Sequence, residues 1–411
     1  MKEQKKQPEL RFKGFTDDWE QSKLGNLVEI KDSARISNIY WQEDGIPYLR
    51  SSDLVDYTAS GALFISKQTY NTFSSKTGSP KKGDVLFTSG GTIGIPTLKK
   101  DDSLIYVQGG SILYAKTSNS VKLDGRFLVN YFYNSRIKIY IKNSSVGGTI
   151  KHFTLMPAKK MPIIFPKKKE QQKIGEFFRK LDRTITLQQR KRELLKKLKR
   201  GYLQQMFPAK DSVNPQLRFN EFNSNWEPYK LGEIAEIVGG GTPSTGVPEY
   251  WDGDIDWYSP TEIGESIYVA ESLKKITESG LNKSSAKMLP TGTILFTSRA
   301  GIGNTAILAK TGSTNQGFQS ILPKRNILDS YFIFSRTTEL KKYGEITGAG
   351  STFIEVSGKQ MAQMPICIPC FEEQKKIGIF FQKLDHGITL QQSKVDKLKN
   401  LKQAYLQKLF P

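Results

Sequence analysis

The sequence predicts an α+β chain made of two tandem globular domains, each followed by one long helix. Three observations predict it. The stretch from Phe165 to Pro208 recurs from Ile368 to Pro411, 203 residues on and without a gap, with about 26 of 43 positions identical from Pro166 onward. The opening segment recurs too: PELRFKGFTDDWEQSKLGNLVEI (Pro8–Ile30) matches PQLRFNEFNSNWEPYKLGEIAEI (Pro215–Ile237). Between these ends, short apolar runs punctuated by glycine alternate with helix-like stretches, the mark of mixed strand and helix. An internal repeat ranks above other signals, because overlooking it misassigns the whole fold.

The repeat gives the organisation. Residues 1–164 form a first domain, 165–208 a long helix, 209–214 a short polar linker, 215–367 a second domain and 368–411 a second long helix. Each opening segment carries an apolar anchor (Leu10, Phe12, Phe15 and Trp19 in the first), and Trp19 and Trp226 read as packing residues. GDVLFTSGGTIG (Gly83–Gly94) then matches GTILFTSRAGIG (Gly292–Gly303): a short apolar strand running into a glycine turn. This turn either approaches a polyanion backbone closely or simply crosses a sheet. Gln108-Gly109 and Gln316-Gly317 follow, each before a strand-like run. Tyrosine-rich helices come next (Tyr131–Ile141, Tyr331–Tyr343), then Gly/Ser/Thr loops (Ser144–Phe153, Thr347–Val356). Short strands (Met161–Phe165, Met364–Ile368) lead into the long helices.

Proline brackets each long helix (Pro166 and Pro208, Pro369 and Pro411) and is absent between, as helix limits require. A seven-residue ladder runs Ile174, Leu181, Gln188, Leu195, Tyr202 in one copy and Ile377, Leu384, Gln391, Leu398, Tyr405 in the other, with Leu198 and Leu401 as further apolar positions. Sustained heptads argue for a coiled coil. The alternative is two separate amphipathic helices, each on its own core. If the helices pair antiparallel, the mid-helix Gln188 and Gln391 meet, where a polar core residue can fix register. A helix of about 38 residues spans roughly 57 Å, longer than the roughly 34–36 Å of one DNA turn.

Composition narrows the partner. The 411 residues carry 61 Lys and Arg against 40 Asp and Glu, a formal charge of +21, which suggests a polyanion: nucleic acid or an acidic membrane surface. No apolar run approaches the roughly 18 residues that read as a membrane span. The start, MKEQKKQPELRF, lacks the apolar core of a signal peptide, so a cytoplasmic protein is expected. The strongly basic first long helix fits a solvated coiled-coil face, a flank facing DNA, or a face meeting an acidic partner.

Catalytic and metal chemistry find little support. Cys367 and Cys370 are spaced as CxxC, yet His152 and His386 are the only histidines and the first copy has Ile164 and Lys167 at the matching positions; a zinc site wants four ligands. There is no Walker motif, no HExxH, and no Pro-Pro pair such as an amino-methyltransferase element needs. The acid pairs Asp17-Asp18 and Asp101-Asp102 sit in expected turns and read as solvated.

Where the halves diverge, the loops are rich in Ser, Thr, Asn, Gln, Gly, Trp and Arg: Asp32–Leu54 in the first, Gly239–Ser266 in the second. Such side chains read base edges. The tandem halves, GGGTPS with YWDGDIDWYS in the second domain, the LFTS turn ending in Ile-Gly, the GST loop (Gly350–Thr352) and the PIxxPxxxEQ approach to each helix (Pro162 to Gln171, Pro365 to Gln374) occur in order. In these features the whole chain resembles the specificity subunits of type I restriction–modification enzymes. The resemblance implies target recognition domains reading two halves of a bipartite double-stranded DNA target with a fixed spacer. It implies conserved helices paired as an antiparallel coiled coil with pseudo-twofold symmetry. It also implies two methyltransferase subunits that modify adenine with S-adenosylmethionine, and ATP-dependent restriction subunits that translocate and cleave. The chain itself would bind no cofactor or metal and have no catalytic residue. The first domain departs from the pattern at KDSARIS (Lys31–Ser37), where the second has GGGTPS.

Arginine pairs with guanine and Asn or Gln with adenine, which selects candidate contacts. In the first domain these are Arg50, Ser51, Ser89, Gln108, Thr149 and Lys151; in the second, Thr242, Ser244, Tyr258, Ser259, Arg299, Gln316, Gln319 and Thr352. Arg299 replaces Gly90 in an otherwise matched turn and is thus an addition to the scaffold. A self-contained two-headed DNA-binding regulator or architectural protein is the competing class, separated by partner dependence. A membrane-surface scaffold is the third, separated by salt-insensitive DNA binding.

Overall fold

A computed structural model describes residues 7–55, 63–149, 151–209, 212–299, 301–349 and 355–411. The chain forms two compact units, Met1–Gln189 with Ser393–Pro411, and Arg190–Gln392. Each unit therefore contains the front of one long helix and the tail of the other.

The long helices run Lys168–Gln205 and Phe371–Lys408, inside the prolines that bracket them. Their starts are locked in the same way. Gln171, fully buried, accepts the Asp124 N–H at 2.9 Å and donates to the carbonyls of Lys122 and Pro166, both at 2.8 Å. Gln374 repeats this with Asp329, Ile327 and Pro369 at 3.0, 2.9 and 2.9 Å. The neighbouring carboxylates, Glu170 and Glu373, are buried under two-pronged ion pairs with Arg11 (3.0 and 2.6 Å) and Arg218 (2.9 and 2.7 Å). The Glu-Gln pair of the repeat is thus structural: it ties the opening segment and the globular domain to the first turn of the helix.

In the first unit a four-stranded antiparallel sheet is ordered Ile30–Asp32, Ile112–Ala115, Val85–Thr88, Pro96–Leu98. The second unit builds the same order from Ala235–Gly239, Gln319–Pro323, Ile294–Phe296 and Thr305–Leu308, and adds Tyr268–Val269 at the edge. A smaller sheet in each unit holds the divergent residues: Trp41–Gln42, Phe64–Ile65, Ile46–Leu49 and Tyr106–Val107 in the first, Lys274–Ile276, Trp251–Tyr258 and Ser313–Thr314 in the second. A two-stranded ribbon, Glu20–Lys23 with Pro162–Phe165 and Glu227–Lys230 with Pro365–Ile368, leads to each long helix. Each expected tyrosine-rich helix is two helices, Gly125–Tyr131 and Ser135–Ser144, or Ser330–Ser335 and Thr337–Thr347. The break arises because Asn134 turns its side chain to cap the Arg136 N–H at 2.8 Å, and because Arg336 leaves helical geometry.

The main core of each unit is closed from the far end of a helix. In the first unit Phe410, 2% exposed, packs on Phe127, Tyr131 and Phe178 with ring centroids 5.4–6.1 Å apart. In the second, Phe207 packs on Trp226, Phe332 and Phe381 at 5.5–6.2 Å. Trp19 and Trp226 lie inside these cores, as packing residues should.

Between their ends the helices carry a strict seam. Leu181, Ile185, Gln188, Arg192, Leu195, Lys199 and Tyr202 are buried or half-buried, alternately four and three residues apart, and Leu384, Ile388, Gln391, Val395, Leu398, Lys402 and Tyr405 repeat the spacing. Pairing is antiparallel within each unit. Phe177 meets Tyr405 at 4.9 Å and Asp182 meets Lys402 at 2.6 Å in the first; Tyr202 meets Phe380 at 4.9 Å, Lys199 meets Asp385 at 2.6 and 2.7 Å, and Arg192 meets Gln392 in the second. Both sequence alternatives therefore contribute: Ile174 and Ile377 sit in domain cores, while the middle residues form a coiled coil. Leu198 and Leu401 lie outside the seam, 46% and 44% exposed. The seam position that apolar spacing assigns near them is taken by Lys199 and Lys402, whose stems are covered while their charges meet aspartates.

Candidate nucleic-acid interface

The turn after the central strand organises the candidate site in both units. Thr88, buried, donates to the Thr92 carbonyl and accepts the Ile95 N–H at 2.9 Å. Thr297 does the same with Gly301 at 2.7 Å and Asn304 at 2.9 Å. The glycines of this turn (Gly91, Gly94, Gly301, Gly303) hold φ between 71° and 103°, which side-chain-bearing residues avoid. The next residue stitches two loops together. The Ser89 N–H donates to Ser111 and its carbonyl accepts Phe153, both at 2.8 Å; Ser298 pairs likewise with Gly317 at 2.8 Å and Val356 at 3.0 Å. The matched turn is thus a hub that gathers loops of unmatched sequence.

In the first unit the hairpin closed by Val146 and His152 bridges to Gly90 and carries Thr149 and Lys151, both exposed, beside the hub. Ser51 lies over Gly91, with its hydroxyl 3.3 Å from where a Cβ on that glycine would be. Gln108, half-buried, is fixed by its N–H to the Leu49 carbonyl at 2.8 Å. The Arg50 guanidinium is partly occupied, 3.4 Å from the Asp53 carboxylate that also accepts the Arg50 N–H at 2.8 Å.

In the second unit the exposed Gln316 accepts a hydrogen bond from the Thr242 hydroxyl. Ser244 is exposed, and its carbonyl accepts the Trp251 indole N–H at 3.1 Å. Gln319 starts a strand opposite Gly239 and is half-buried. Arg299, half-buried beside the hub, makes no ion pair with a described residue. Thr352 and the GST loop to which it belongs lie outside the described residues. Ser259 is engaged by Glu262, which takes its hydroxyl at 2.7 Å and its N–H at 2.8 Å.

Two candidates are displaced from any reading surface. Ser89 is 3% exposed, because the hub folds back on the sheet and both its backbone groups are used. Tyr258 is 1% exposed in a core with Leu295 and Phe318, where burial, with the Asp256 carboxylate adding to it, pushes its phenol well up. The sheet register also corrects the equivalence of the two Gln-Gly pairs. Leu49 holds Gln108 as Tyr258 holds Asn315 (3.0 Å), so Gln108 is the counterpart of Asn315, not of Gln316.

Some residues escaped the sequence reading. Lys283 and Lys287 are exposed on either side of Ser285, which packs against Gly241 of the GGGTPS segment. Arg35 is exposed where the register places Thr242 in the other unit. A strand register, which one sequence does not display, is the signal that finds it. Among the described residues no group of three or more His, Cys, Asp or Glu is placed to hold a metal ion, and no helix is long and apolar enough to cross a membrane.

Two copies of one sheet scaffold each gather divergent polar and cationic loops on one turn and each continue into a paired long helix, the organisation of a modular, two-unit subunit. The comparisons name the family. The description of the type I restriction modification DNA specificity domain matches residues 16–197 and 223–400, and the chain belongs to this family of specificity subunits. It is similar to the MjaIX specificity subunit of Methanocaldococcus jannaschii, 38% identical over 164 residues, which are 39% of this chain and 38% of the relative. With the EcoR124I/EcoR124II specificity subunit of Escherichia coli it is 32% identical over 41% of this chain and 43% of the relative. These two alignments therefore span less than half of each relative. The putative MjaX specificity subunit of M. jannaschii is 22% identical over 95% of this chain and 92% of its own length. The S subunit of a type I system from M. genitalium has the same fold, with a TM-score of 0.64 at 17% identity over 98% of this chain and 99% of that one.

Proposed function

We propose that the chain is the non-catalytic reader of a type I restriction–modification complex. Each unit recognises one half of a bipartite double-stranded DNA target, and the long helices set a fixed number of unread base pairs between the halves. The observation that carries this reading is the hub: an identical backbone device in both units presents different side chains, Thr149 and Lys151 beside Ser51 in one, Arg299 with Thr242 and Gln316 in the other. Same scaffold with different contacts is what reading two different short sequences requires.

The chemistry belongs to partners in this proposal. Two methyltransferase subunits transfer a methyl group from S-adenosylmethionine to adenine, and restriction subunits use ATP to translocate and cleave. The exposed leucines of the long helices, Leu187, Leu194, Leu198, Leu390 and Leu401, offer apolar positions for those subunits. The charge of +21 supplies phosphate contacts and salt-dependent affinity. A role on chromosomal DNA places the protein in the cytoplasm.

The test is methylome sequencing of a host lacking adenine methylation that co-expresses the chain with its methyltransferase subunit. A gapped two-part motif is expected. A contiguous motif, or no methylation while both proteins are soluble and associated, refutes the reading. Tight, partner-independent binding by the chain alone would then identify a two-headed regulator.

A further inference from the structure

We propose that Arg35 is a base-reading residue of the first domain, its guanidinium taking the O6 and N7 of a guanine in the first half of the target. This rests on the DNA-reading function above.

Register places it. Asp32 pairs with Leu113 as Gly239 pairs with Gln319, and Tyr48 and Leu49 pair with Tyr106 and Val107 as Trp257 and Tyr258 pair with Ser313 and Thr314. Three residues beyond Asp32 and Gly239 stand Arg35 and Thr242. The sequence match of KDSARIS to GGGTPS, seven residues against six, hid this; the structure aligns Asp32–Ser37 with the six. Thr242 is the residue that hydrogen-bonds Gln316 on the rim of the second unit.

Arg35 is held rigidly by its neighbours while its own side chain is in solvent. The Ala34 N–H donates to the Tyr106 hydroxyl and the Ile36 N–H to the Tyr48 hydroxyl, both at 3.2 Å. Tyr48, Tyr106 and Ile36 are essentially fully buried. Fixing the backbone on both sides lowers the entropy lost when the side chain docks. Arg35 is exposed and forms no ion pair with a described residue, whereas Arg50 already faces Asp53. The chain then continues through exposed Asn38 and Ile39, the latter 79% exposed, side chains suited to base edges and thymine methyls.

A base contact fits better than a phosphate contact because the two units differ here in charge. Phosphates are alike in both half-sites, so a backbone contact would favour a cation at this position in both units. The second unit instead carries a neutral threonine–glutamine pair. A fixed backbone position whose chemistry changes between units is where sequence selectivity is carried.

Arg35→Lys and Arg35→Ala chains, each co-expressed with the methyltransferase subunit, test this by methylome sequencing and by duplex binding across salt concentrations. Lysine keeps the charge and loses the planar fork. The expected result is that both variants lose discrimination tenfold or more at one guanine of the first half, leave the second half intact, and that the lysine variant keeps the parental salt slope. An unchanged motif overturns the proposal, as does uniform weakening on all duplexes by Arg35→Ala with full rescue by Arg35→Lys, the pattern of a phosphate contact. Hydrogen exchange at Tyr48 and Tyr106 distinguishes misfolding; for a misfolded alanine variant the lysine variant decides. If the unsubstituted chain gives no gapped motif, the functional reading fails instead.

Discussion

Replacing Phe410 by alanine should destabilise the first unit although the residue is second from the end of the sequence. The ring is 2% exposed and touches Phe127, Tyr131 and Phe178. Truncating a buried phenylalanine costs about 3–5 kcal/mol, because the surrounding core relaxes only in part around the cavity. For a unit of roughly 200 residues, each kcal/mol lowers the melting temperature by about 2–4 °C, so a drop of roughly 6–20 °C follows. The assay is calorimetry combined with hydrogen exchange read peptide by peptide. Protection should fall in Gly125–Tyr131, which carries two of the ring's partners, and in Pro162–Phe165, which lies in the same core, and persist in Ser330–Ser335 and Pro365–Ile368. Phe207→Ala should give the mirror result. A shift below about 2 °C, or equal loss of protection in both sets of peptides, would refute the assignment of the chain end to the first core.

Three further outcomes follow from particular contacts. Glu373→Ala leaves Arg218, 15% exposed at its side chain, without its carboxylate and should cost about 3–5 kcal/mol in urea unfolding, whereas Asp17→Ala at the exposed pair with Lys167 should leave stability within error. Tyr131, whose phenol burial pushes up to about 12, keeps its proton in the fold when the unfolded chain loses it near pH 10. Its contribution is thus intact below pH 10 and declines by roughly 2–3 kcal/mol between pH 10 and 12, and Tyr131→Phe should make the fall of the urea midpoint over that window shallower. Gly109→Ala would put a Cβ 1.8 Å from the Ser33 carbonyl oxygen, forcing the loop after Gln108 off Asp32–Ala34. It should weaken binding to a cognate duplex about 5–150-fold, the equivalent of 1–3 kcal/mol of overpacking, with the second unit's exchange protection unchanged.

The elements that repeat were legible from the chain, and for a physical reason. The long helices begin two residues after Pro166 and Pro369 and end three before Pro208 and Pro411, because proline imposes its limits locally. The strands at Val85 and Ile294 were legible because an apolar run ending in glycine needs no distant partner to be recognised. What failed depends on contacts far apart in sequence. Leu198 looked like a seam residue because apolar periodicity discards lysine, yet Lys199 is buried along its stem by its ion pair with Asp385, 186 residues away. Ser89 looked like the tip of a turn, but the loops reaching it from Ser111 and Phe153 bury it. Tyr258 reads as a contact because it lies in the divergent, polar-rich stretch Gly239–Ser266, while the strand it sits on turns it into the core.

Asp385 shows where the two repeats cease to be equivalent. It is 7% exposed and accepts from Lys199 at 2.6 and 2.7 Å and from the Tyr331 hydroxyl at 2.9 Å. Its counterpart Asp182 meets Lys402 at 2.6 Å near the surface. In the first domain Arg126 occupies the place of Tyr331, two residues after the helix-capping aspartate, and reaches toward Glu176 at 3.6 Å. Burying Asp385 is tolerable because two donors, the Lys199 ammonium on both oxygens and the Tyr331 hydroxyl, offset its desolvation; removing Lys199 would leave a buried carboxylate with one phenol. Such a site contributes little net stability but penalises any sliding of one helix along the other, since a slip of one residue parts the ammonium from the carboxylate. Both units close the helix pair with an aromatic contact, Phe177 with Tyr405 and Tyr202 with Phe380, each at 4.9 Å, and the second adds the buried Asp385 network as a further lock on register. One repeated helix sequence supports two different local solutions, and the domains attached to them are free to diverge.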